Sequence, residues 1–194
     1  MGRKWFTNIV ITGVGLVLGS CQTYSVREGD LLFHIAEQGN AITDVTPAMI
    51  DHVAIVLSAD SVVEAVGQGV KTTPLDSLRR QDGYYVIGRV RKADRQRSVS
   101  NARRYLGRPY DYVYLADNDD IYCSELVQLA YVDKAGEALF TPVPMSFHDQ
   151  TGRITDYWTQ FYARRSMAVP EGQPGTNPAE LSKRKQVKIV GRLR

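Results

Sequence analysis

The chain predicts an α+β domain in which an antiparallel sheet packs against helices and a cysteine stands at the N-terminus of one helix. Three observations carry this reading. Residues 29–35, 52–57, 61–66 and 84–90 are short apolar runs rich in Val, Leu and Ile, bounded by turn residues, as strands are. The second and third are close enough to form a hairpin, and hence an antiparallel pair. Helical patterns follow at 94–106 and from Cys123 onward. In the first, Val99, Ala102 and Leu106 share a face; in the second, Leu126, Leu129 and Ala130 do so.

At the N-terminus, Arg3 and Lys4 precede a mostly apolar stretch, residues 5–18. It suits the core of a signal peptide and is shorter than the ~20 residues that span a bilayer. The run ends in Leu18-Gly19-Ser20-Cys21, which resembles the lipobox of bacterial lipoproteins. That resemblance implies acylation of Cys21. With Gln22 following, it also implies an outer-membrane, periplasm-facing address. Residues 1–20 are thus read as a lipoprotein signal peptide and 21–28 as a tether, with a plain secretory signal or a short uncleaved anchor as the alternatives.

Gly29 and Asp30 form the turn into the first strand. Between 37 and 51 the pattern is weak, although Pro47 suits the start of a short helical turn. His52 opens the next strand, and 61–66 is its hairpin partner. Residues 67–70, with two glycines, break that strand, and Thr73-Pro74 leads into a short helix near 75–78. Gly107 ends the helix at 94–106. Pro142, Pro144 and Gly152 mark irregular chain, and the aromatic-rich segment 156–163 is expected to dock onto the core. The domain therefore runs from 29 to 168. Residues 169–194, with Lys183, Arg184, Lys185, Lys188, Arg192 and Arg194, read as a flexible basic tail.

Composition excludes several classes. A net charge of +3, with no aromatic-basic or zinc-finger pattern, argues against nucleic acid as a partner. Two cysteines and three histidines, none at ligand spacing, argue against a structural metal site. A chain of 194 residues can bury about two-thirds of its unfolded surface, so its core needs no disulfide. If Cys21 is acylated, Cys123 has no partner cysteine. A free thiol in an oxidising compartment is either deeply buried or has a chemical task.

Cys123 sits where a loop becomes a helix. Unpaired N–H groups and the positive end of the macrodipole favour thiolate at such a position. His52 and Glu64 each interrupt an apolar strand, where a polar side chain is costly without a partner. Facing each other would resolve both costs. A three-residue loop at 57–59 sets them directly opposite, with Cβ atoms about 4.5–5.5 Å apart, whereas a four-residue loop at 58–61 turns Glu64 to the other face. A carboxylate on the imidazole fixes its tautomer and stabilises imidazolium beside a thiolate. Nucleophile, base and orienter together form the logic of a cysteine hydrolase.

Five stretches occur in a telling order: Gly29-Asp30-Leu31-Leu32-Phe33, Asp51-His52-Val53-Ala54-Ile55-Val56, Val63-Glu64-Ala65-Val66-Gly67 with Val70 to Leu75, Arg104 to Tyr112, and Tyr122-Cys123-Ser124-Glu125-Leu126-Val127. Over residues 29–131 they resemble the permuted papain-like amidases of the YaeF/YiiX type, relatives of the NlpC cysteine peptidases and of lecithin:retinol acyltransferase. The resemblance implies a circularly permuted papain-like fold without a cofactor, with the histidine strand ahead of the cysteine helix. It implies Cys123 as nucleophile, His52 as general base and acid, and Glu64 as the third member. It further implies Tyr110 as a substrate or oxyanion contact. Together with the expected address, it points to an amide of a peptidoglycan peptide as substrate. The alternatives are a lipid-like acyl substrate, hydrolysed or transferred, and a non-catalytic binding lipoprotein. A deep apolar channel at Cys123 would favour the lipid-like acyl group, and an open polar groove the peptide.

Overall fold

The computed structural model describes residues 25–193; the predicted signal peptide, Cys21 and residues 22–24 of the tether lie outside them. Along the chain come β1 (Asp30–Ile35), a 3-10 turn at Pro47–Met49, β2 (Ile50–Val56), β3 (Ser61–Val66), β4 (Gly69–Pro74), α1 (Leu75–Leu78) and β5 (Tyr84–Val90). They are followed by α2 (Arg95–Arg103), α3 (Cys123–Ala130), β6 (Val143–Pro144), α4 (Asp156–Ala163), β7 (Pro174–Gly175), α5 (Pro178–Ser182) and β8 (Val187–Arg192). Six strands build one sheet in the order β4-β3-β2-β1-β5-β8, antiparallel at every pairing. No helix among the described residues is long and apolar enough to cross a membrane.

Alternation along the strands makes two apolar faces. On one, Leu31, Phe33, Val53, Ile55 and Val63 meet α2, α3 and α5 through Val99, Ala102, Leu126, Val127 and Leu181. On the other, Leu32, Ala54, Val56, Val62 and Ile87 pack with Leu75 and Leu78 of α1. Each buried Val, Leu, Ile or Phe side chain here stabilises the fold by roughly 1.5–3 kcal/mol. A third cluster, Met145, Phe147, Trp158 and Tyr162, lies against Ile42, Val45 and Tyr114. Trp158 Nε1 donates to Ala41 O at 3.1 Å and Tyr162 Oη to Val113 O at 3.0 Å, which ties α4 to two loops.

Several expectations need correction. The supposed flexible tail is structured: α5 packs on the sheet and β8 pairs with β5 along its whole edge. Its exposed Lys188 and Arg192 flank or separate the part-buried Val187 and Val190, and lysines and arginines on an edge strand discourage further pairing. Counting charge hid that pattern. The domain therefore does not stop at 168. At its other end, Val26, assigned to the tether, packs on the second apolar face. The break expected at 67–70 is a tight turn instead: Gly69, at φ +96°, lets residues 70–74 pair back on β3 as β4. Leu106 and Leu129 are exposed. The first lies beyond the end of α2, and the buried stripe of α3 is Cys123, Leu126, Val127 and Ala130, the i, i+3, i+4, i+7 face.

The sheet opens where the site lies. β2 and β3 pair only at Ile55–Val63 and Val56–Val62. On the other side of β2, the register with β1 shifts between His34 and Ile35, leaving Asp51 as a bulge. His52 sits between the splay and the bulge.

Candidate active site

Cys123 is the first residue of α3 and is 6% exposed. Its N–H belongs to a helical turn whose donors have no intrahelical acceptor, so it can donate to an oxyanion. The chain leading to it is tightly held. Ile121 N donates to Pro109 O at 3.0 Å, Asp111 N donates to Ile121 O at 3.3 Å, and the Tyr122 hydroxyl accepts from Thr176 N at 3.1 Å. Tyr122 N donates to Glu125 Oε2 at 3.3 Å, half of a capping box. Burial pushes the Glu125 carboxyl up to about 8, so near neutrality it is mostly uncharged and adds little negative charge beside the thiol.

His52 meets both other expected members. Its Nε2 lies 2.8 Å from Glu64 Oε2, and the imidazole also interacts with the Cys123 side chain and its charge, for which Nδ1 remains. The route differs from the predicted one. The hairpin loop is 57–61, and its register, continued, sets Ala54 opposite Glu64, with His52 two residues further along the same face. Loop parity was as expected, so the side chains still meet, diagonally across the splay. Glu64 Oε1 accepts from Thr73 Oγ1 of β4 at 2.5 Å, so both carboxylate oxygens are fixed.

The charges support one another. Burial opposes protonation of His52, but the bonds and charges of Cys123 and Glu64 outweigh it and raise the imidazole to about 10. Burial likewise opposes the Glu64 carboxylate, and the His52 and Thr73 bonds with the His52 charge hold it below its ordinary 4.5. Glu64 is 3% exposed, whereas the His52 side chain keeps 18% accessible, enough to meet a substrate.

Tyr110 reaches the same cleft as Cys123 on a loop organised by Asp111. The fully buried Asp111 carboxylate accepts from the N–H groups of Val113, Tyr114 and Leu115 at 2.7–2.9 Å. This loop is clamped to the β3–β4 turn by Gly107 N to Val70 O and Val70 N to Arg108 O, both 2.8 Å, and by Tyr112 Oη to Gly67 O at 3.0 Å. Burial, then the Cys123 charge, raises the Tyr110 hydroxyl far above its ordinary 10, so it keeps its proton and can donate it.

Residues 25–191 match the family model described as permuted papain-like amidase enzyme, YaeF/YiiX, C92 family. The chain belongs to that family. A relative from Escherichia coli K12, the uncharacterized protein YiiX, is 34% identical over 121 residues, covering 57% of this chain and 59% of the relative. The chain thus spans about six-tenths of that relative's length. A crystal structure of the metalloprotein yiiX from Escherichia coli O157:H7 superposes with a TM-score of 0.72, over 88% of this chain and 99% of that one, at 24% identity. It shares the fold. Among the described residues here, no group of three His, Cys, Asp or Glu side chains is arranged to hold a metal ion.

This C92-family site contains residues that sequence reasoning passed over. Thr73 is one of them; its signal is its place two positions along β4 from Lys71, the partner of Glu64. His34, Asp51 and Asn40 form a second polar network. His34 Nδ1 is 2.6 Å from Asp51 Oδ1, and Asn40 Nδ2 donates to Asp51 Oδ2 at 2.7 Å. His34 interrupts an apolar strand as His52 does, so the same argument could have found it. The cleft beside Cys123 is narrow: its cavity volume is ≈ 60 Å³, well below the roughly 300–1,000 Å³ usual for small-molecule sites. Its walls include Ile42, Val45, Met145, Phe147 and Trp158, gathered from three distant segments.

Proposed function

We propose that this protein is a cysteine amidase acting through an acyl-enzyme, with Cys123, His52 and Glu64 as its triad. The observation that carries the reading is His52, hydrogen-bonded to the buried Glu64 carboxylate and interacting with the Cys123 side chain at the N-terminus of α3. Cys123 thiolate attacks the carbonyl carbon and a C–S bond forms, while the N–H of Cys123 and the Tyr110 hydroxyl donate to the oxyanion. As the C–N bond breaks, imidazolium His52 passes its proton to the departing nitrogen. Water then attacks the thioester, His52 takes its proton, and the acid leaves with Cys123 restored. Losing one oxyanion donor in such a site costs about 2.7–4 kcal/mol.

The expected lipid anchor at Cys21 would hold the enzyme at the periplasmic face of the outer membrane, where peptidoglycan peptides supply amides. A second reading, a lipid-like acyl substrate, is favoured by the apolar walls of the cleft beside Cys123. Alkylation by iodoacetamide tests the chemistry: rapid modification of Cys123 near pH 7, slowed at least about ten-fold in His52→Ala, is expected. Modification no faster than that of an ordinary exposed thiol would leave a binding protein instead. Mass analysis of products from purified cell wall and from phospholipid chooses between the substrates.

A further inference from the structure

The end of the sheet opposite the triad is basic. There β1 starts beside the end of β5 and the start of β8: Asp30 pairs with Arg89, and Arg89 with Lys188. Arg91 N donates to Gln186 O at 2.7 Å, which extends the same corner. Arg95 packs over Gly29, where an added Cβ would lie 3.2 Å from the arginine side chain. Arg27, Arg91, Lys92, Arg95, Lys185 and Lys188 are all exposed here. Among the described residues, none of the six is ion-paired. Most neighbouring acids are spent elsewhere. Asp30 holds Arg89, Asp94 caps α2 by accepting from Arg97 N, and Asp133 accepts from the N–H groups of Ala135 and Glu137. Glu28 and Glu137 remain exposed, so the corner keeps an excess of positive charge.

The N-terminal chain arrives at this same end. Val26 packs on the second apolar face five residues after Cys21, so at full extension the two are separated by about 18 Å at most. Anionic headgroups attract a basic surface held within a Debye length of them, about 8–10 Å at ordinary ionic strength. We propose that this corner is a membrane-docking surface that rests on anionic phospholipid headgroups. β1 then leads away from the bilayer, and His34, paired with His52, stands four residues from Asp30, about 13 Å along the strand. The site opens toward water, and the substrate is taken from the aqueous side rather than from the leaflet beneath. The inference takes the expected anchor at Cys21 from the reading above and makes no use of amide hydrolysis.

The test floats the full chain with vesicles of phosphatidylcholine, with and without phosphatidylglycerol, and acetylates exposed lysines with a water-soluble reagent. Mass analysis reads each lysine. Phosphatidylglycerol is expected to slow acetylation of Lys92, Lys185 and Lys188 about five-fold. Lys71, paired with Glu64 at the other end of the sheet, should react at an unchanged rate. Added salt should restore the three rates. Arg27→Gln, Arg91→Gln and Arg95→Gln combined keep the lysines as probes and should cut the protection to less than about two-fold. Equal rates with both vesicles would overturn the docking. So would shielding of Lys71 instead, which would lay the site on the bilayer. Shielding by purified cell wall but not by vesicles would assign the corner to a wall polymer and overturn the membrane assignment. A chain that floats only when phosphatidylglycerol is present lacks the expected anchor yet supports the docking surface. A chain that floats with neither vesicle overturns both.

Discussion

His34 and His52 are paired directly across the β1–β2 ladder, and each holds its own carboxylate, Asp51 at 2.6 Å and Glu64 at 2.8 Å. Their remaining nitrogens separate their roles. His34 Nε2 meets Asp82 O at 2.6 Å, so both its partners only accept and both its nitrogens must carry hydrogen. Below its raised pKa, His34 is a cation that braces the bulge. His52 spends one nitrogen on Glu64 and keeps the other for sulfur, which leaves its proton available for transfer.

Turnover should fall as pH rises through about 10, where His52 loses the proton it gives to the leaving group. Glu64→Gln removes one of the two partners that raise His52, so the alkaline limb of kcat/KM should move down by about one pH unit or more. Thr73→Val, which frees one Glu64 oxygen, should shift the limb in the same direction by less. A limb that stays in place in Glu64→Gln would separate Glu64 from the proton transfer.

Glu125 is an acid whose folded pKa lies above its ordinary 4.5, at about 8. Its contribution to stability is fully present below pH 4.5 and is lost as pH rises through about 8, at up to about 1.4 kcal/mol per unit. Glu125→Gln keeps an acceptor for Tyr122 N–H but has no proton to lose. Denaturant titrations at pH 5, 7 and 9 should therefore show the wild type losing stability relative to the variant as pH increases.

The His34–Asp51 pair has its own window. Hydrogen bonds to Asp51 and Asp82, working against burial, raise His34 above 6.5, so its contribution is complete below that pH and fades as pH climbs through the folded value. Asp51, held below 3.8 despite burial by His34 and Asn40, contributes above that pH and loses its effect as pH falls through its folded value. His34→Ala should cost about 2 kcal/mol at pH 6 and less at pH 10. Urea unfolding at the two pH values measures the difference.

Gly69→Ala should damage the site from a distance. At φ +96°, a Cβ there would lie 2.5 Å from Arg108 O, against the loop that presents Tyr110. A loss of about 2 kcal/mol in stability is expected, together with lowered kcat/KM. Melting curves and steady-state kinetics on one preparation test both.

Deleting residues 187–194 removes β8 and bares the edge of β5. Tm should drop by roughly 10 °C or more, and the truncated protein should self-associate through the open edge. Differential scanning calorimetry and size-exclusion chromatography read the two effects. An unchanged melting temperature would mean that β8 adds nothing to the sheet.

Legibility divided along the range of the interactions involved. Strand runs, the α2 and α3 regions, and the discomfort of His52, Glu64 and Cys123 are written in neighbouring residues, because periodicity and desolvation act locally. Five motifs in permuted order sufficed for the family. The diagonal meeting of His52 and Glu64, the brace of Thr73, the cation at His34 and the strand made from a basic C-terminal stretch needed the folded chain. Each depends on which strand lies beside which, and by how many residues it is offset. Those are set by packing energies summed over the whole sheet, and no window of sequence contains that sum.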